Sequence, residues 1–280
     1  MEKKIRITLP KKIAEILEND TEEFFIKKNT LLNYIYAEKI KEDRRKKNLY
    51  TYKEETSIIQ FNLNKKNLEG YYNYLEENNI QNESEFFREI LIEYASQSKK
   101  KRECFLFREI VERINHSIKE KKIIRIVFRD EKKIEVEPYL IESSKLEVMN
   151  YLFCYNLRES KWRNYKIKYI KSIYIKNLSF KLRDKKFVDK MKDNFDPFIS
   201  FGQYIEIKLT MVGQKMFNEI ETNRPQVIKI DGDKYTLECS QEKAKRYFSF
   251  FLDEVEVLEP QDLRAWFKEK YKKAWIKYQE

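Results

Sequence analysis

The chain has 280 residues, with 58 Lys and Arg against 47 Asp and Glu, a formal net charge of +11 and a charged fraction of 38%; that length holds two or three domains with cores of their own under a heavily solvated surface. Three cysteines, Cys104, Cys154 and Cys239, have no paired spacing, which excludes a disulfide framework or a zinc knuckle and predicts buried thiols in a reducing compartment. No apolar run is long enough to cross a bilayer and the N-terminus has no signal-peptide core, so a cytoplasmic protein without a membrane partner is expected, and the positive charge favours a polyanionic one.

The segment Lys3 to Lys12 returns 54 positions later as Ser57 to Lys66, with Leu9 matching Leu63, and the register holds as far as Thr30 and Ser84. Each copy opens with an alternating strand. Ile5, Ile7 and Leu9, or Ile59, Phe61 and Leu63, point one way, and Lys4, Arg6, Thr8 or Ile58, Gln60, Asn62 point the other. A helix follows, carrying Ile13, Ile16, Leu17 and Phe24 or Leu68, Tyr71, Tyr72 and Leu75. After a break at Lys27-Lys28-Asn29 or Asn78-Asn79-Ile80-Gln81, a second helix carries Leu32, Ile35, Tyr36 and Ile40, or Phe86, Ile90, Leu91 and Tyr94.

Strand, helix, helix, twice over residues 1–98, resembles the ribbon-helix-helix family of DNA-binding proteins. The resemblance implies a two-stranded antiparallel ribbon over four helices, both units here coming from one chain. Such a ribbon enters the major groove, where Arg forks onto guanine and Asn or Gln onto adenine. Lys4, Arg6, Thr8, Gln60 and Asn62 have the chemistry and parity for nucleic-acid contact, and the amides opening the second helices near Thr30 and Ser84 suit flanking phosphates. Glu83 and Glu85 beside the second of these sites depart from that pattern and would repel phosphate. The plainer alternative is two amphipathic hairpins packed as a dimerisation platform that touches no nucleic acid.

Gln97 to Arg102, polar and charged, reads as a boundary, and Lys39 to Lys47 and Lys99 to Arg102 are dense basic runs. A helix is expected from Phe105 to Glu120, with Leu106, Ile110, Ile114 and Ile118 inward. The period then becomes two. Ile123 to Arg129, Lys133 to Ile141, Leu146 to Leu157 and Arg163 to Ile175 are strand candidates close enough together to suggest a small barrel.

That helix, the strand Ile123 to Phe128, the Glu137-Pro138 step, Asn150 to Tyr155 and Arg163 to Ile167 resemble a WYL domain. The resemblance implies an Sm-like β-barrel over residues 103–182 that serves as a ligand-sensing module in bacterial regulators, with a site for an anionic, nucleotide-like ligand. Asn150 stands where Trp is usual, and Tyr169 replaces a basic residue. Carried over position by position, Tyr151, Arg163 and Lys166 are the candidate ligand-binding residues: a ring for stacking, a planar fork and a point charge. Arg163 and Lys166 have opposite parity, so a bend or bulge near Asn164 is needed to aim both at one ligand. The alternative makes Tyr151 a barrel-wall aromatic and both cations solvated.

From Tyr204 onward the order is strand, helix, strand, strand, helix, strand, with Asp231-Gly232-Asp233 as the hairpin turn. That order fits a ferredoxin-like module and is similar to the extension after many WYL domains, which with a linker helix accounts for 183–280. A last helix after Pro260 carries Leu263, Trp266, Phe267, Tyr271, Ala274, Trp275 and Tyr278 on one face, a stripe that needs its own domain or a homodimer to cover it. His116, the only histidine, stands apart from any metal-ligand spacing, and four glycines form no phosphate loop, although carboxylates distant in sequence leave a metal nuclease open. The expectation is an α+β, non-enzymatic protein without cofactors: a homodimeric, ligand-responsive regulator of transcription that binds nucleic acid, with duplex DNA favoured. A ribbon-helix-helix front end on a WYL protein also resembles accessory factors of type VI CRISPR systems, which bind single-stranded RNA and modulate an effector nuclease; a plain dimeric scaffold is the third reading.

Overall fold

The computed structural model describes residues 3–42, 55–144, 148–193, 195, 197, 198 and 202–279, so the later part of the basic run Lys39 to Lys47 and the start of the expected strand Leu146 to Leu157 lie outside the described residues. The chain divides into two compact units, Met1–Cys154 with Tyr165–Arg183, and Tyr155–Asn164 with Asp184–Glu280. Each mixes helices with small antiparallel sheets.

In the first unit β1 (Lys4–Pro10) and β2 (Thr56–Asn62) pair antiparallel, with Lys4 opposite Asn62, Arg6 opposite Gln60 and Thr8 opposite Ile58. Arg6 and Gln60 are both cross-strand partners and equivalents in the repeat, so an approximate two-fold passes between them. Ile5, Ile7, Leu9, Ile59 and Phe61 are buried on the other face, as strict alternation requires.

Beneath them lie α1 (Lys11–Glu23), α2 (Lys28–Lys39), a pair of short helices α3 (Lys65–Glu69) and α4 (Tyr71–Glu77), and α5 (Glu83–Ala95). The first helix of the second copy is interrupted at Gly70, and Tyr72 is consequently exposed rather than in the core stripe where the periodicity put it. The break in the first copy falls at Phe24–Lys27, earlier than Lys27-Lys28-Asn29, because Phe25 turns the chain with φ 56°; Asn79, its equivalent, has φ 52°. Leu31, Leu32, Ile35, Tyr36, Phe87, Ile90 and Leu91 fill the shared core. Lys39 and its repeat equivalent Glu93 meet across the two-fold, with Nζ 2.7 Å from Oε1.

The run that reads as a boundary starts a helix, α6 (Lys99–Leu106), and the chain bends at Phe107 before α7 (Arg108–Lys119), so the single helix expected from Phe105 is two. Arg102 ties α6 into the core. Its Nε and Nη2 donate to Asp20 Oδ2 and Oδ1 at 2.6 and 2.9 Å, its Nη1 donates to Gln97 O at 2.6 Å, and the Tyr94 hydroxyl donates to Asp20 Oδ2 at 2.8 Å, all in a buried cluster. Polar composition therefore marks a buried ion pair here rather than a solvated linker.

The strands β3 (Lys122–Phe128), β4 (Lys133–Ser143), β5 (Asn150–Asn156), β6 (Lys161–Lys166) and β7 (Ile170–Ser179) form a sheet of order β6-β5-β4-β3-β7. The expected strand Arg163 to Ile175 is thus two strands separated by a 3₁₀ turn, Ile167–Tyr169. Because β6 and β7 follow each other so closely yet stand at opposite ends of the order, the sheet curls until its edges approach at that turn. The same turn meets the helical half: Lys168 Nζ bonds Glu23, Arg129 Nε donates to Lys168 O at 2.8 Å, and Arg129 lies over the Phe25 ring at 5.4 Å.

In the second unit α8 (Lys185–Asp193) precedes β8 (Tyr204–Leu209), α9 (Met211–Glu219), β9 (Gln226–Asp231), β10 (Lys234–Glu238), α10 (Gln241–Phe248) and β11 (Val255–Glu259), and the sheet order is β11-β8-β10-β9. Gly213 in α9 is required, because a Cβ there would lie 2.3 Å from Glu254 O. The last helix, α11 (Gln261–Lys277), buries Leu263 and Phe267 in this unit's core but leaves Trp275, Ile276 and Tyr278 exposed.

Candidate nucleic-acid interface

The exposed face of the ribbon carries Lys4, Arg6 and Thr8 on one strand and Ile58, Gln60 and Asn62 on the other. Its two edges are closed by the second helices. On β1, Ser84 Oγ donates to Arg6 O at 3.1 Å and Arg88 Nε to Thr8 O at 2.9 Å. On β2, Asn62 N donates to Asn29 Oδ1 and Asn33 Nδ2 to Asn62 O, both at 2.9 Å. Main-chain groups at the edges are thereby satisfied, which blunts strand addition and leaves side chains as the means of recognition. Lys4, Asn29, Gln60 and Asn62 line a shallow depression of about 620 Å³ on this face.

The two flanks differ. The first turn of α2 has no acidic residue, and Lys27, Lys28, Asn29 and Thr30 are all exposed there. The start of α5 carries Glu83 and Glu85, is capped by Asn82 accepting from Glu85 N at 3.1 Å, and has Lys3 Nζ 2.7 Å from Glu83. One helix start therefore adds to the positive field of the ribbon and the other opposes it. Thr30 stands on the favourable side; Ser84 faces the ribbon backbone.

On the five-stranded sheet, Tyr151 is buried and Lys166 lies over its ring, Nζ 5.7 Å from the centroid. Arg163 Nε donates to Glu159 Oε2 at 2.7 Å. The structure thus brings Tyr151 and Lys166 together and pairs Arg163 with a carboxylate. The Asn found where Trp is usual has a local cause: the backbone N and Nδ2 of Asn150 each donate to Glu103 Oε2 at 2.7 Å, and Nδ2 also donates to Lys100 O at 2.9 Å. Burial pushes the carboxyl pKa of Glu103 up, against these hydrogen bonds.

Several contributors escape a reading of the sequence. Asn29, Asn33 and Asn67 form an amide network, with Asn33 Oδ1 accepting from Asn64 N at 2.8 Å and from Asn67 Nδ2 at 3.0 Å. Arg88 holds a ribbon edge, and Lys3 lies over Tyr71 and Tyr72 at 5.7 and 5.9 Å. The spacing of Asn29 and Asn33, one helical turn apart, is the only sequence signal among them. His116 is exposed, Cys154 and Cys239 are buried and Cys104 half-buried. Among the described residues no group of three or more His, Cys, Asp and Glu is placed to hold a metal, and no helix is long and apolar enough to cross a membrane.

Residues 109–175 match the model of the WYL domain. Across the whole chain the fold is similar to a solved structure described as "Crystal structure of a CRISPR Cas-related protein", with a TM-score of 0.78 and 17% identity over 100% of this chain and 95% of that one. A weaker likeness, TM-score 0.40 and 15% identity over 70% of this chain and 32% of the other, is to Proteasome accessory factor B/C of Arthrobacter aurescens. Among curated proteins no sequence matches this chain.

Proposed function

We propose that this chain, which carries a WYL domain at residues 109–175, is a non-enzymatic nucleic-acid-binding regulator whose reader is a single-chain tandem ribbon-helix-helix. In this reading the curled sheet is an Sm-like barrel that senses an anionic ligand at Tyr151 and Lys166, and the C-terminal unit is a ferredoxin-like module. The exposed turn with Trp275, Ile276 and Tyr278 is its homodimer contact. The observation that carries the proposal is the pairing of β1 with β2 in a register that puts Arg6 beside Gln60 and Lys4 beside Asn62 on one solvent-facing surface.

The sequence favours duplex DNA, and the cross-strand pair of Arg6 and Gln60 supports it through their fit to guanine and adenine edges. The flanks tip the balance toward single-stranded RNA. A ribbon in a major groove is gripped by phosphates on both sides, and here one side presents Glu83 and Glu85. Basic side chains beside exposed rings suit an unpaired strand, which needs only one backbone track. Titrating labelled single-stranded RNA and duplex DNA at low and high salt tests the choice: the single strand keeps the higher affinity at both. Tighter duplex binding at high salt would restore the promoter-binding reading, and no binding of either would leave the scaffold.

A further inference from the structure

The two copies of the repeat diverge at the groove between α2 and the split helix α3–α4. Its wall includes Asn33, Tyr36, Asn64, Asn67 and Gly70, and a space of about 730 Å³ remains there, within the range of roughly 300–1,000 Å³ typical of small-ligand sites. The residues 54 positions away are Phe87, Ile90, Pro10, Ile13 and Ile16, which are buried or pack against the core. Of the two grooves related by the two-fold, each built from one helix of either copy, one is thus filled with apolar side chains, while the other is lined with amides and carries a glycine. Buried amides and a helix break are local costs that packing alone gives no reason to accept.

A second observation points to an occupant. Tyr36 is fully buried, and its hydroxyl has no hydrogen-bond partner, a state that costs about 1–3 kcal/mol unless another group meets it. Burial pushes its pKa up to about 12, so the hydroxyl stays protonated and able to donate. Tyr34 and Tyr74 add ring surface to the wall, and Glu38 on the wall is neutralised by Lys41 and Arg108 at 2.5 and 2.9 Å. Asn29 lines both this groove and the depression on the ribbon face with Lys4, Gln60 and Asn62. A chain lying on the ribbon therefore reaches the groove without leaving the surface.

We propose that the groove takes one unstacked nucleobase of a single strand held along the ribbon, an inference that rests on the nucleic-acid reading above. A base is flat enough to lie against tyrosine rings and carries donors and acceptors for amides and a buried hydroxyl. A duplex would have to unpair to offer one.

Gly70 gives a clean test. A Cβ there meets nothing within 4 Å, and its φ of −104° suits any residue. Binding of a labelled mixed-sequence single-stranded RNA, and of duplex DNA of the same sequence, is measured by fluorescence anisotropy on the wild type, Gly70→Ala, Gly70→Leu and Arg6→Ala. Gly70→Leu should weaken single-strand binding about tenfold, the worth of one stacked base, with a smaller loss for Gly70→Ala and duplex binding unchanged. A folded Gly70→Leu protein with wild-type RNA affinity, when Arg6→Ala has lost it, overturns the groove and leaves the ribbon reader standing. A wild type that binds neither nucleic acid overturns the reader itself, and the groove with it. Should Gly70→Leu fail to fold, RNA carrying photoreactive thiouridine is irradiated on the wild type. It should attach to peptides from 28–41 or 64–77, and attachment only elsewhere overturns the proposal. Uridine monophosphate that displaces the RNA as effectively as the unlabelled strand does would show a free-nucleotide site and overturn the strand half of the claim.

Discussion

The first copy of one sequence pattern has become an anchor, while the second keeps an open outer side. In the first, an unbroken α1 carries Asp20 in its last turn, where Arg102 and Tyr94 clasp it in the interior, and Glu23 and Phe25 lie against Lys168 and Arg129 of the five-stranded sheet region. In the second, Tyr74 stands where Asp20 does, Asn79 where Phe25 does, and Gly70 divides the helix. Both keep the left-handed residue that joins their helices. The comparison teaches that a duplicated unit can hold its two-fold at the ribbon while its outer sides part roles: one binds the rest of the protein and the other stays open to solvent.

The largest test of this contrast is Asp20→Ala, which strands a buried guanidinium and should cost about 3–5 kcal/mol in urea unfolding. Tyr74→Ala, at the equivalent but half-exposed site, should cost clearly less; equal losses would end the distinction between the anchored and the open side. On the flanks, Thr30→Glu should lower RNA affinity about fivefold by putting a carboxylate at the favourable helix start. Ser84→Glu, beside carboxylates already present, should change it little.

Glu23 gives a pH signature to the anchor. Its carboxyl sits below the usual carboxylate range because it accepts hydrogen bonds from Lys168 first and Lys99 second, against partial burial. A lowered folded value means stability that is present above the ordinary carboxylate pKa and lost as pH falls through the folded one. The melting temperature of Glu23→Gln should therefore lie below wild type at neutral pH and converge with it in acid. The smallest effect is at the joints: Phe25→Gly removes ring contacts to Arg129 and Tyr169 as well as left-handed strain, so it should be about 1 kcal/mol less favourable than Asn79→Gly, which removes no such contact.

The ribbon was legible because strands of period two that repeat at fixed spacing have one way to hide Ile5, Ile7, Ile59 and Phe61 together. The order of the C-terminal elements, strand, helix, strand, strand, helix, strand, was legible for the same reason of periodicity. What composition misread was α6, where the polar run hides Arg102 whose partner lies 82 positions away. The break between β6 and β7 was also hidden: Ile167 and Ile170 are both buried despite their opposite parity, a change of face made by the 3₁₀ turn that no Gly or Pro announces. At the interface, side chains on the ribbon followed from parity, whereas the amide network needed contacts between α2, β2 and α3 that no spacing within one element announces.

The account turns on the outward face of the ribbon. Its most direct test is the affinity of the triple substitution Arg6→Ala, Gln60→Ala, Asn62→Ala for single-stranded RNA, in a protein whose far-UV spectrum and melting temperature match wild type. A loss of about a hundredfold is predicted, from roughly 1.5–3 kcal/mol for the charged Arg6 contact and about 0.5–1.5 kcal/mol for each amide contact removed. Undiminished affinity in that folded protein would place nucleic-acid binding elsewhere on the molecule and contradict the account.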